Sequence, residues 1–168
     1  MLARYAIIAA LFSATPASAD IAVRFIEGAP KDRFVFEASS TFCAMVPLKI
    51  TLDLTGSAGA LLFDVAQSGA GVEVYQPFEV VAGADVLLGA SSVADGDRRL
   101  TIELASLQPG KPFAFTIDVD DTLGGREITV AGSEILGAVV SVQAGDETRV
   151  SAFDEAAIAN IDWSTCQS

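Results

Sequence analysis

Several short stretches of the chain alternate apolar and polar residues with a period of two. In LKITLDL (48–54), Leu48, Ile50 and Leu52 are separated by Lys49 and Thr51. Successive side chains of a β-strand point to opposite faces, so this pattern predicts strands with one buried face and one wet face. The same alternation occurs in IAVRF (21–25), LTIELASL (100–107) and FAFTIDVDD (113–121).

The alternating stretches are separated by segments rich in turn-forming residues, such as GAPKD, TGSAG, ADGDR and QPGKP. Glycine, proline, asparagine and aspartate favour tight turns, and short strands at roughly ten-residue spacing are typical of an all-β sandwich. We therefore predict a single sandwich, immunoglobulin-like or jelly-roll-like, of about nine to eleven strands. Residues 154–162 fit either a helical turn or a last strand.

The first 19 residues have the features of a secretory signal. Arg4 precedes a short apolar run, YAIIAALF (5–12), and Ala17 and Ala19 form the small-residue pattern that signal peptidases cleave. The run is shorter than the roughly 20 residues of a membrane-spanning helix. We predict a cleaved signal over 1–19, a single domain over 20–168, a secreted or periplasmic location and no membrane span.

The composition of the chain excludes several functions. It carries 10 Lys and Arg against 22 Asp and Glu, a formal net charge of −12, and this acidity disfavours nucleic acid as a partner. There is no histidine. Ser-His-Asp and Cys-His catalysis and histidine-ligated zinc are therefore excluded. Two cysteines, Cys43 and Cys166, are predicted to form a disulfide, since an even cysteine count in an exported chain favours one.

Four segments resemble a family of small exported bacterial proteins that carry the description "aggregation factor core protein", by analogy with a sponge adhesion proteoglycan. They are EGAPKDRF (27–34), LDLTGSAGALLFDV (52–65), GAGVEVYQPFEVVAG (69–83) and PFAFTIDVDDTLGGREITVAGSEILGAVVSV (112–142). The resemblance covers nearly the whole predicted domain. It implies calcium-dependent adhesion and carries no catalytic motif.

The acidic run after FTI is the strongest candidate site. If Val119 points inward, Asp118 and Asp120 share the outer face of a strand, about 7 Å apart along it. Asp121 then enters a turn, and Glu127 or Glu134 could complete a ligand shell. Calcium takes six to eight oxygen ligands and tolerates mixed donors, so it is the expected ion. The alternative interpretation is a solvated strand end without a metal.

The aromatic residues and the other acidic residues supply two further candidate sites. Tyr75, Phe78 and Trp163 could form an aromatic platform for a glycan, and the predicted partner is a glycan or another envelope or extracellular protein.

The predicted function is a binding or adhesion module. The alternatives are a structural envelope or matrix protein without a specific ligand, and a histidine-free hydrolase that uses a carboxylate pair. Candidate acids for such a pair are Glu27, Asp32, Asp64, Glu73, Glu79, Asp118 and Asp120.

Overall fold

A computed structural model describes residues 19–42, 46–66, 75–123 and 130–163 of the chain. The predicted signal segment up to residue 18 lies outside these ranges, as do Cys43, Cys166 and Glu127. The disulfide therefore stays a prediction. Among the described residues, no helix has the length and apolar character needed to cross a bilayer.

The described residues form an all-β sandwich, as predicted. Its strands are β1 (Ile21–Ile26), β2 (Asp32–Ala38), β3 (Leu48–Asp53), β4 (Leu62–Phe63), β5 (Glu79–Ala82), β6 (Leu87–Ala90), β7 (Arg99–Leu104), β8 (Phe113–Ile117), β9 (Val119–Asp120), β10 (Val139–Ala144), β11 (Glu147–Ala152) and β12 (Ile158–Ile161). Twelve strands lie in the described part of the chain, slightly more than expected, because β4 and β9 are two-residue strands.

Ten of the strands form two five-stranded antiparallel sheets. Sheet A has the order β12-β1-β2-β8-β5, and sheet B has the order β11-β10-β3-β7-β6. The short strands β4 and β9 pair with each other in a separate ribbon. Strand β9 of this ribbon follows β8 directly in the chain, where the acidic run begins.

The core lies between the sheets and is built from the residues that the alternation marked as inward. Leu48, Ile50 and Leu52 of β3 are all buried. Sheet A contributes the aromatic centre, in which the ring of Phe115 stacks at 5.2 Å from Phe34 and at 6.0 Å from Phe36. Offset stacking of this kind adds to the burial of large apolar area, so this cluster is the main packing element of sheet A.

The segment 154–162 ends in a strand rather than a helix. Asp154 accepts hydrogen bonds through its Oδ1 from the backbone N–H groups of Ala156 and Ile158, and Ala157 has a φ of 57°. A positive φ interrupts a right-handed helix, so the chain turns and continues as β12. Strand β12 then pairs with β1 in sheet A.

Candidate functional site

The run FTIDVDD spans two different sheets. Strand β8 ends at Ile117, and Asp118 connects it to β9 in the small ribbon. The backbone of Asp118 is held on both sides: its N–H donates to the carbonyl of Gln76 at 3.1 Å, and its carbonyl accepts from the N–H of Asp64 at 3.1 Å. Asp118 is therefore fixed between two other segments of the chain.

All three acidic side chains of the run are buried. Asp118 is 4% exposed, Asp120 is 3% exposed and Asp121 is 6% exposed. The prediction that Asp118 and Asp120 share a wet outer face is therefore wrong. The alternation fails here because the chain leaves sheet A at Asp118, so the inward and outward faces of β8 do not continue into β9.

Two more buried aspartates join the run. Asp32 begins β2 and is 1% exposed, and Asp64 follows β4 and is 2% exposed. Electrostatic interactions link both residues to Asp120, and they also link both to Asp118. We call Asp32, Asp64, Asp118 and Asp120 the aspartate cluster.

A tight turn places Asp32 in the cluster. Its Oδ1 accepts a hydrogen bond from the N–H of Gly28 at 3.0 Å, and the N–H of Val119 also binds this carboxylate. A Cβ atom at position 28 would lie 2.5 Å from the carbonyl oxygen of Lys31. Glycine is therefore required at this position for the turn to close around Asp32.

Asp64 makes direct contacts with other acids. Its side chain is hydrogen-bonded to those of Asp95 and Asp120. An ionised carboxylate can only accept hydrogen bonds, so each of these carboxyl pairs requires a proton on one member. Asp95 also accepts a hydrogen bond from the N–H of Val65 at 3.0 Å, which fixes it at the rim of the cluster.

Burial and mutual repulsion raise the pKa of three cluster members. Burial, followed by the charges of Asp120, Asp32 and Asp64, raises the pKa of Asp118 to about 8. Burial raises the pKa of Asp32 to about 7, against two backbone hydrogen bonds that lower it. Burial, the hydrogen bond with Asp95 and the charge of Asp120 raise the pKa of Asp64 to about 7. Near neutral pH these groups therefore hold protons that ordinary aspartates have lost.

One oxygen of the cluster has no partner. The Oδ2 atom of Asp118 is fully buried and makes no hydrogen bond within the described residues. The interactions that set the pKa values of Asp32, Asp64 and Asp118 come from burial, backbone N–H groups and other carboxyls, with no Lys or Arg among them. The cluster thus concentrates carboxyl groups without a cationic side chain among the interactions that set these pKa values.

The cluster has the donor chemistry of a calcium site but not the finished geometry of one. Over residues 19–42, 46–66, 75–123 and 130–163, no group of three or more Asp, Glu, His or Cys side chains converges as a preformed metal site. Calcium binding would require carboxylates of the cluster to turn toward a shared ion. Calcium accepts flexible oxygen coordination, so carboxylates that turn through their side-chain torsions suit it better than they suit smaller ions.

The other predicted calcium ligands are less directly connected to the aspartate cluster. Glu134 is half-buried, and its Oε2 accepts a hydrogen bond from the N–H of Ala131 at 2.6 Å. This bond holds the carboxylate in the turn that contains both residues. It is not among the acids that shift the pKa of Asp118. Asp121 is buried beside the cluster. Glu127 lies outside the described residues.

The aromatic residues of the predicted glycan platform are half-buried. The ring of Phe78 packs against Phe115 in the core at 4.9 Å, and Trp163 meets Phe42 edge-on at 6.1 Å. Phe78 and Trp163 are half-buried and pack against the core, and their role in a glycan platform stays a prediction. Tyr75 is half-buried, and its role stays a prediction.

Comparison of the chain with protein-family models, curated proteins and solved structures gives no match.

Proposed function

We propose that the protein is an exported binding or adhesion module, and that Ca²⁺ bound by the aspartate cluster stabilises the fold it needs for binding. The location follows from the predicted signal over 1–19. The adhesive role follows from the resemblance to the aggregation-factor-core family, which implies calcium-dependent adhesion. The calcium site rests on the aspartate cluster.

The observation that carries the proposal is the partnerless Oδ2 of Asp118 among buried acids. A buried carboxylate oxygen without a partner costs free energy, and the cost is larger when neighbouring carboxylates are also ionised. A divalent cation removes both costs, because it coordinates the oxygen and neutralises its neighbours. Asp32, Asp64, Asp118 and Asp120 are the side chains that would hold it.

The distinction between Ca²⁺ and Mg²⁺ follows from the same geometry. Mg²⁺ requires near-ideal octahedral coordination at short distances and releases its water reluctantly. The cluster draws its acids from three separate segments and has no preformed ligand triad. Ca²⁺, with its larger and more variable shell, is therefore the ion we expect it to prefer.

The hydrolase alternative has one supporting feature, the hydrogen-bonded carboxyl pair of Asp64 and Asp120. Acid–base catalysis uses carboxyls with shifted pKa values, but in glycoside hydrolysis the two carboxyls flank a cleft that admits the substrate bond. Asp64 is 2% exposed and Asp120 is 3% exposed. A substrate could not reach this pair without opening the fold, so the pair favours ion binding over catalysis.

The calcium proposal is tested by thermal unfolding of the mature chain at fixed ionic strength. Millimolar Ca²⁺ is expected to raise the melting temperature more than Mg²⁺ does. Ligand at about a hundredfold above its dissociation constant stabilises the folded state by about 2.7 kcal/mol. The double variant Asp118→Asn with Asp120→Asn is expected to lose the calcium-specific part of this shift.

The control is Asp53→Asn, which removes one carboxylate from the outer face of sheet B and leaves the cluster intact. It should respond to Ca²⁺ as the wild type does. If the cluster variant keeps the full response, or if Asp53→Asn loses it, the cation acts on the general acidity of the protein and the cluster is not its site.

Adhesion is tested separately, by retention of the mature protein on whole envelope preparations and on a glycan array, with Ca²⁺ or with a chelator. Specific, calcium-dependent retention that the cluster variant lacks supports the proposal. A calcium shift without retention on any surface would favour the alternative, a structural envelope protein stabilised by its ion.

A further inference from the structure

The outer face of sheet B carries two adjoining cavities. One has a volume of about 270 Å³ and lies at the end of the face where β3 begins. The other has a volume of about 380 Å³ and lies along β6 and β7. Lys49 and Glu103 line both cavities, so the two meet at this pair, and we call them together the sheet B groove. Ligand sites typically measure about 300 to 1,000 Å³, so the groove is large enough for a small ligand.

Lys49 and Glu103 face the groove without forming an ion pair. They are directly opposite in the register of β3 and β7, where Cβ atoms are about 5 Å apart. Both residues are exposed, and neither makes an ion pair or a side-chain hydrogen bond with another residue that the structure describes. A lysine offers only donors, and an ionised glutamate offers only acceptors. The pair therefore presents both kinds of hydrogen-bonding group side by side to a ligand.

Hydroxyl groups on the same face are held in place beside this pair. The Oγ1 atoms of Thr51 and Thr101 are hydrogen-bonded to each other at 3.1 Å. The Oγ of Ser91 accepts from the N–H of Thr101 at 3.0 Å, and the N–H of Ser91 donates to the carbonyl of Thr101 at 2.8 Å. Ser91 is thereby fixed and still has an O–H to donate. Groups that are fixed in advance lose little entropy when a ligand binds.

The other end of the groove adds an amide and an apolar wall. Gln143 lies opposite Lys49 in the register of β10 and β3, and its Nε2 donates to the carbonyl of Gly145 at 3.2 Å. Pro47 and Leu88 line the same cavity, and Leu88 is 59% exposed. None of the residues that line the two cavities is aromatic. The groove therefore combines hydrogen-bonding groups with aliphatic surface.

The charges in the groove are balanced, although the whole chain has a formal net charge of −12. Its own charges are one lysine and one glutamate. Charged residues farther along the face and on β11 are paired, Asp53 with Arg99 and Glu147 with Arg149. Asp146 follows Gly145 in the exposed turn after β10. The chain as a whole repels an anionic ligand, and a cationic one finds no net attraction among the groove residues, so this pattern favours an uncharged ligand.

We propose that the sheet B groove binds an uncharged oligosaccharide, an inference that rests on the proposed binding function. A sugar hydroxyl both donates and accepts, so neighbouring hydroxyls of one ring bind the Lys49 amine and the Glu103 carboxylate together. Hydrogen bonds to charged groups are stronger than bonds between neutral ones. The apolar C–H face of a ring packs on Leu88, and hydroxyls of adjoining sugars reach Ser91 or Gln143. A peptide suits the groove less well, because peptides that bind sheets pair with an edge strand rather than with a face.

The experiment is an NMR titration of the isotopically labelled mature chain in Ca²⁺. The probes are hexasaccharides of glucose, mannose, galactose and N-acetylglucosamine at millimolar concentrations. At least one should shift the backbone amide signals of Lys49, Thr101, Glu103 and Gln143. We expect a dissociation constant of about 1 mM, because an open groove contacts only one side of the sugar chain. A hexasaccharide of galacturonic acid should bind at least about tenfold more weakly, because the acidic chain repels it.

Two variants test the central pair. Lys49→Met and Glu103→Gln each remove one charge and nearly keep the length of the side chain. Each should weaken binding by about tenfold, since each removes a charge-assisted hydrogen bond. The matched controls are Lys111→Met and Glu155→Gln, which make the same changes at exposed residues outside the groove and should leave binding unchanged. All four variants should keep the wild-type circular dichroism, because surface substitutions of this kind rarely affect the fold.

Four results would overturn the proposal: no shift of the groove signals by any uncharged probe, shifts confined to another surface, equal binding of galacturonate, or equal weakening by the control variants. Retention on envelope preparations separates this inference from the proposed function. If a chain with both Lys49→Met and Glu103→Gln is retained as the wild type is, the module binds through another surface, and only the groove inference fails. If the wild type is retained on no surface, the binding function itself fails.

Discussion

Replacement of Asp118 by asparagine should make the metal-free protein more stable at alkaline pH. The pKa of Asp118 rises from 3.8 to about 8 on folding, through burial and through the charges of Asp120, Asp32 and Asp64. Between these two pH values the folded chain keeps a proton that the unfolded chain has lost. Stability linked to this group is therefore fully present below pH 3.8 and is lost progressively as pH rises to about 8.

The size of the effect follows from the width of this window. A pKa shift of one unit corresponds to about 1.4 kcal/mol. A shift of roughly four units therefore limits the loss in the free energy of unfolding to about 6 kcal/mol. Asparagine keeps the shape and one oxygen but never ionises. Its amide still needs hydrogen-bond partners, and the neighbouring acids relax when one charge is removed. We therefore expect about half of the ceiling, roughly 3 kcal/mol, above pH 8.

The assay is urea and thermal unfolding of wild type and Asp118→Asn in chelator, at pH 5 and at pH 8.5. At pH 8.5 the variant should melt roughly 6 to 12 °C above the wild type, and at pH 5 the difference should be much smaller. Asp32 and Asp64, whose pKa values also rise, should make the wild type itself less stable at the higher pH.

The control is again Asp53→Asn. Burial tends to raise the pKa of Asp53, but hydrogen bonds from Arg99 and Thr55 outweigh it and lower this pKa. Its loss should destabilise the fold slightly, by about 1 kcal/mol or less, as for other exposed ion pairs. If Asp118→Asn is no more stable than the wild type at pH 8.5, or if metal-free wild type gains stability from pH 5 to pH 8.5, the cluster does not carry the buried charge inferred for it.

Three further predictions concern stability. The Oγ1 atom of Thr116 is buried and makes no hydrogen bond to the part of the chain that the structure describes, so Thr116→Val should be neutral or stabilising by about 1 kcal/mol in urea unfolding; a clear loss would mean that the hydroxyl has a partner. Phe115→Ala should destabilise by about 3 to 5 kcal/mol, since this ring contacts several core aromatics; a loss below about 1 kcal/mol would show that this stack is not central to the fold. The predicted Cys43–Cys166 disulfide closes a loop of about 120 residues and can stabilise the fold by at most roughly 4 to 5 kcal/mol. Its reduction should therefore lower the melting temperature by several degrees. Titration of two thiols in the native protein would contradict the disulfide.

Strand position was predictable from sequence where one face of a strand is buried and the other is wet. In β3, the alternation identified Leu48, Ile50 and Leu52 as inward, and all three are buried. Alternation is less informative for GALLFDVA (59–66), where the apolar residues are continuous. The structure has only Leu62–Phe63 in a strand. Here the segment is buried on both sides, and a period of two carries no information.

The aspartate cluster could be predicted only in part. Asp118 and Asp120 were candidates because they are close in sequence, whereas Asp32 and Asp64 join them through pairings between segments far apart in the chain. A weak local signal does exist: Asp64 and Asp118 each end a short, largely apolar run, LLF and FTI. An acidic residue at the end of a buried strand is a better candidate for a buried cluster than one in the middle of an alternating strand, because no alternation requires it to face solvent.

The burial of four acids at one end of a sandwich requires a compensating partner. Isolated carboxylates removed from water cost several kcal/mol each, and a protein normally avoids this by neutralising them. In the cluster, the hydrogen bond between Asp64 and Asp120 and the raised pKa of Asp118 indicate neutralisation by protons in the metal-free form. Calcium and protons would then compete for the same oxygens, since a bound ion requires deprotonated ligands. The affinity for Ca²⁺ should therefore increase from pH 6 to pH 8.5, and calorimetry in buffers of different ionisation enthalpy should detect protons released on binding. Binding without proton release would place the ion elsewhere on this acidic surface.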